Sequence, residues 1–131
     1  MTRILVAEDD PHILRVISLW LTRQGYEVIE ARNGEVAIQL YDERRPDIII
    51  TDINMPVMDG LALLDTVFSR PRLPRGIVVL TNRWDHREIG QRLEDSGVIT
   101  VPKPFSPTKL AELIQTIDAR PAAKPEGGIR T

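Results

Sequence analysis

The chain has 131 residues, 42% hydrophobic and 27% charged, with a formal net charge of −2 at pH 7 and no cysteine. This length suits one domain, and a near-balanced charge sets up no overall field toward nucleic acid or a membrane surface. Lack of cysteine excludes disulfides, thiolate metal sites and cysteine nucleophiles, and agrees with a cytoplasmic setting.

The N-terminal "MTRILVAEDD" carries an apolar run too short for a signal peptide, and no stretch approaches a membrane span in length. Arg3–Ala7 is predicted as a short buried strand. Asp10 is a helix N-cap with Pro11 at the first helical position, and the helix runs to about Gly25. Ile13, Ile17 and Leu21 recur at helical spacing, flanked by Val16 and Trp20. Tyr26–Ala31 is a second strand. Asn33-Gly34 turns into a helix with Val36, Ala37, Leu40 and Tyr41 on one face, ended by Pro46. Asp47–Thr51 is a third strand.

Asp59-Gly60 is turn chemistry, and the helix after it carries Leu63, Leu64, Val67 and Phe68. Ser69–Gly76 forms a Pro/Arg loop before a fourth strand, Ile77–Thr81. Asp85 caps a fourth helix bearing Ile89 and Leu93, stopped near Gly97. Val98–Val101 is a fifth strand. Ser106-Pro107 opens a last helix with Leu110, Leu113, Ile114 and Ile117. Residues 1–118 form the domain, and 119–131, rich in Pro, Gly and Ala, are a flexible tail or the start of a linker.

Strands and helices alternate strictly, and the strands are continuous apolar runs. This predicts a three-layer α/β domain around a parallel sheet covered on both faces. Ligands of such sheets sit at the carboxyl ends of the strands. Those ends carry Glu8-Asp9-Asp10, Asp52, Thr81 and Lys103. With strands one, three, four and five side by side, Glu8, Asp9 and Asp52 converge. They repel unless a cation stands among them. Oxygen donors without His or Cys suit Mg²⁺ or Mn²⁺. A divalent ion and Lys103 bring the set to neutrality. Such a site suits phosphoryl transfer, with an ionised Asp as nucleophile and Thr81 as a hydrogen-bond donor to a phosphoryl oxygen.

The segments "ILVAEDD", "PDIIITDINMPVMDG", "VVLT" and "KPF", in this order, resemble the receiver domain of two-component response regulators, over about residues 3 to 118. The resemblance implies a flavodoxin-like, doubly wound sheet of strand order 2-1-3-4-5. It implies Asp52 as phospho-acceptor, with Asp9 as a direct metal ligand, Glu8 acting through water and the Asn54 backbone carbonyl completing the shell. Thr81 becomes the switch hydroxyl and Lys103 the partner of the phosphoryl group. A cis Lys103-Pro104 bond is expected, which proline makes accessible. The implied partners are a histidine kinase or histidine phosphotransfer protein and an unknown output protein or domain, with room for a homodimer. The chain stands alone or is one domain of a larger protein. The implied role is that of a phospho-acceptor rather than an enzyme of turnover.

Departures from the family pattern fall on the switch face. Thr100 stands where the family usually has an aromatic, and Asn82 where it usually has a small residue. Arg83 and Asn54 occupy positions that tune dephosphorylation in the family, which implies an altered phosphoryl lifetime. Pro102 is tolerable in an edge strand. Trp84 is a packed loop residue or a partner anchor. His12 and His86 are surface residues, and the arginines at 70, 72, 75, 83, 87 and 92 form a solvated basic face. Three rival functions fit the sequence less well. A haloacid-dehalogenase-like phosphatase needs a second Asp where Asn54 stands. A flavodoxin-like cofactor binder needs a phosphate loop where Glu8-Asp9-Asp10 would repel it. A phosphorylation-independent pseudo-receiver adaptor fits Thr100 and Asn82 but leaves the pocket without a purpose.

Overall fold

The computed structural model describes residues 1–82 and 96–119. Five parallel strands, β1 (Arg3–Ala7), β2 (Glu27–Ala31), β3 (Ile48–Asp52), β4 (Gly76–Asn82) and β5 (Ile99–Lys103), form one sheet in the order β2-β1-β3-β4-β5. The helices among the described residues are α1 (Pro11–Arg23), α2 (Gly34–Arg44), α3 (Gly60–Phe68) and α4 (Pro107–Asp118). The fold class and strand order are those expected. The predicted helix after Asp85, with Ile89 and Leu93, lies outside the described residues, as does the tail from residue 120.

Strand side chains alternate between two cores, as the period of two requires. Ile4, Val6, Ile48, Ile50, Val78 and Leu80 pack under α1 and α4. Leu5, Ala7 and Ile49 pack under α2 and α3, and Ile77 and Val79 meet Leu64 and Val98 on that same side of the strands. Every residue of β3 is buried, so the sheet is covered on both faces at its centre.

Helix starts follow the caps. Asp10 Oδ1 accepts from the amides of His12 (2.8 Å) and Ile13 (3.3 Å), Asn33 Oδ1 from Val36 (2.8 Å), Asp59 Oδ1 from Ala62 (2.8 Å) and Ser106 Oγ from Lys109 (3.3 Å). Asp59 is thus a helix cap, not only a turn residue. The α1 stripe is Leu14, Ile17 and Leu21, with Val16 and Leu19 exposed. Ile13 is only half-buried.

Three strand ends, those of β3, β4 and β5, lie further along the chain than expected. Ladder pairing rather than composition sets them: Asp52 pairs with Leu80, and Lys103 pairs with Asn82, so both functional residues belong to strands. Pro102 sits in β5, an edge strand, as its missing amide demands. The Lys103–Pro104 bond is cis, as expected.

Candidate functional site

The carboxyl ends of β1, β3 and β5 deliver the site. Glu8 follows β1, where its amide donates to Ala31 O at 3.0 Å and fixes it one step beyond the ladder. Asp52 is the last residue of β3, and Lys103 the last of β5. Glu8 is fully buried and Asp52 is 5% exposed. Lys103 Nζ lies 3.1 Å from Glu8 Oε1 and 3.2 Å from Asp52 Oδ2, bridging the two carboxylates across the sheet. Asp9 is exposed at the rim. One oxygen each from Glu8, Asp9 and Asp52 fall within 4.8 Å of one another.

Three carboxylates and one ammonium leave two excess negative charges. Burial pushes the Glu8 carboxyl above its ordinary value, opposed by the Asp10 amide, and the Asp52 charge adds to the rise. Burial also pushes Asp52 up, against the pull of Lys103 and of the Ile53 and Asn54 amides. Burial presses Lys103 down, but Asp52 and Glu8 outweigh it and hold the ammonium charged. Glu8 Oε2 accepts from the Asp10 amide at 3.1 Å. Glu8 Oε1 is buried, and its close polar contact is the ionic one with Lys103. A buried carboxylate oxygen with spare acceptor capacity, among oxygen donors whose charge exceeds that of Lys103 by two, fits a hard divalent cation or its bound water.

The loop after β3 is held by close approach. Gly60 N donates to Ile53 O at 2.8 Å, and Gly34 N to Met58 O at 2.9 Å. A Cβ at Gly60 would strike the carbonyl oxygen of Asp52, and one at Gly34 the carbonyl oxygen of Met58. Met58 N donates to Pro56 O at 2.7 Å around Val57, whose φ of 70° marks a tight, strained turn.

The remaining expected residues fall around this centre. Thr81 is half-buried on β4, one step past the Leu80 that pairs with Asp52. Thr100 is half-buried on β5 opposite Val79. Asn54 is exposed in the loop after β3. Asn82 pairs with Lys103. Arg83 and Trp84 lie outside the described residues, as do His86, Arg87 and Arg92. Sequence reasoning missed the Asp10 amide as a support for Glu8 and the Gly60 approach to Asp52. Asp-Gly turn chemistry was the only signal for the second.

Residues 4–115 match the family described as the response regulator receiver domain. The response regulator GtcR of Aneurinibacillus migulanus is 35% identical over 112 residues, covering 86% of this chain and 46% of that protein. The transcriptional regulatory protein KdpE of Mycobacterium tuberculosis is 37% identical over 105 residues, covering 80% of this chain and 46% of that protein. The solved chemotaxis response regulator CheY4 of Vibrio cholerae superposes with a TM-score of 0.76 at 30% identity, covering 89% of this chain and 98% of that one. The chain spans about half the length of the curated relatives it matches.

Proposed function

The chain belongs to the response regulator receiver family, and on that premise we propose that Asp52 accepts a phosphoryl group from the histidine of a histidine kinase or phosphotransfer protein. An Asp52 carboxylate oxygen attacks phosphorus. The phosphorus–nitrogen bond breaks, and its electron pair stays on the donor imidazole. The product is an acyl phosphate, which water later hydrolyses to reset the chain. Lys103, beside Asp52, pairs with the transferred group, and Thr81 hydrogen-bonds one of its oxygens. Glu8, Asp9, Asp52 and the Asn54 carbonyl would hold Mg²⁺ or Mn²⁺. Bound there, the ion supplies positive charge to the oxygens of the transferring group.

The observation that carries this reading is the Lys103 ammonium set between Glu8 and Asp52 at 3.1 and 3.2 Å, inside a cluster with two negative charges to spare. Movement of Thr81 toward the new charge would shift the face of β5 and α4, and so control a partner or output domain. Reversing a 99:1 population there takes roughly 5.5 kcal/mol of differential stabilisation. Thr100 stands on β5 where the family usually has an aromatic, and Asn82, Arg83 and Trp84 follow Thr81 in the chain. We assign residues 1–118 to the receiver and 119–131 to a tail or linker, in a cytoplasmic setting. Thr100 favours a second reading, a phosphorylation-independent adaptor, and the intact pocket outweighs it.

Incubation with Mg²⁺ and acetyl phosphate, read by intact mass, tests the proposal. A single phosphoryl adduct, absent in Asp52→Asn and without Mg²⁺, supports it. No adduct under conditions that label CheY4 of Vibrio cholerae favours the adaptor.

A further inference from the structure

At the amino ends of the strands, away from the carboxylate pocket, the end of α2 and the loop between α3 and β4 enclose a cavity of about 270 Å³. Tyr41, Asp42, Arg45, Arg70, Pro71 and Arg72 line it. The lining carries three arginines against Asp42, with Asp47 beside Arg72, so positive charge is in excess. Asp42 is committed to Arg70, whose Nε and Nη2 each donate to it at 2.8 Å. That bidentate pairing also holds the Asp42 carboxyl below its usual range. Arg72 reaches Asp47 only at 3.8 Å, and Asp47 already accepts from the Arg3 amide at 2.8 Å. Among the described residues, Arg45 enters no ion pair.

Arg45 is also costly in conformation. It ends α2 at φ 50° and ψ 64°, a left-handed position where glycine is the ordinary choice. The chain places there a residue that is strained and adds a third like charge to the cavity. A bound anion would relieve the repulsion and give the strain a purpose. The opposite wall is set in advance, because the Tyr41 hydroxyl donates to Arg72 O at 2.7 Å.

We propose that this cavity binds a phosphate monoester group, gripped by Arg45, Arg70 and Arg72. Guanidinium forks match the oxygens of a phosphate dianion. The site is independent of Asp52 and its chemistry.

The test titrates inorganic phosphate, and in parallel a short phosphoserine peptide, into the full chain while amide chemical shifts are followed. Saturable shifts centred on residues 41–45 and 70–72, with a Kd on the order of 1 mM or tighter, are expected. Arg72→Gln and Arg45→Gly should each weaken binding at least about tenfold. Arg45→Gly should at the same time raise Tm, because glycine accepts the left-handed backbone. Lys103→Met should leave the binding intact. Tighter binding of the peptide identifies a phosphorylated side chain as the source of the group, and equal binding identifies free phosphate. Absence of saturation, binding unchanged by both arginine substitutions, or binding lost in Lys103→Met overturns the proposal.

Discussion

Burial raises the Asp52 and Glu8 carboxyls, so at both residues the folded chain holds protons more tightly than the unfolded chain does. For a raised acid the stabilising contribution is complete below the unfolded value, near 3.8 for Asp52, and is lost as pH rises through the folded value. At neutral pH the ionised Asp52 therefore works against folding. Without a metal ion, Asp52→Asn should raise Tm at pH 7, and the gain should shrink to nothing near about pH 3. Thermal melts across that range check it. Glu8, Asp9, Asp52 and Lys103 were legible in the sequence because a charge that closes a run of Ile and Val has no packing reason to be there. The total burial of Glu8 was not legible, since it depends on the loop from β1 folding back to offer the Asp10 amide. Nor was the backbone of Arg45, where nothing in the composition announces a left-handed residue.

Among the elements, the loop between β3 and α3 is fixed by backbone approach rather than by side chains. The missing Cβ of Gly60 leaves room for the Asp52 carbonyl oxygen, a backbone atom that cannot swing aside. Gly60→Ala should cost about 3 kcal/mol, the upper part of the range for overpacking, measured by the denaturant midpoint. It should also slow adduct formation at Asp52, because the displaced atoms belong to that residue and to Ile53. Helix starts were legible through Asp10, Asn33 and Ser106, whose side chains do cap. Strand ends were less so. Lys103 falls inside β5 only because Asn82 pairs with it, and pairing is a property of two segments. In α1 the apolar residues nearly encircle the helix, so Ile13 and Leu14 competed for one stripe and the sheet selected Leu14.

At the scale of the molecule, the parallel topology brings residues from positions 8, 9, 52 and 103 to one end of the sheet, and the alternation of strand and helix made that much readable in advance. Two arginines of the Pro/Arg loop are tied down, while Arg72 stays exposed and the arginines at 83, 87 and 92 lie outside the described residues. Arg70 pairs with Asp42 and Arg75 with Asp118 at 3.0 Å, clamping the loop to α2 and to the end of α4. These partners are remote in sequence, and no local pattern marks them. The carboxylate end retains its excess charge, so a bound divalent cation should stabilise the whole fold. Mg²⁺ at a hundred times its Kd should add about 2.7 kcal/mol, seen as a rise in Tm that a chelator reverses. Asp9→Asn, at the exposed rim, should keep the fold and lose most of that rise.

On phosphorylation Asp52 becomes an acyl phosphate. Such a group, alone among the carboxyls of the chain, is reduced by borohydride to the alcohol and leaves homoserine in place of aspartate. Peptide mass spectrometry after phosphorylation with Mg²⁺ and acetyl phosphate, followed by borohydride, should find homoserine at position 52 and at no other aspartate. An unmodified Asp52, or homoserine at a different position, would contradict the account.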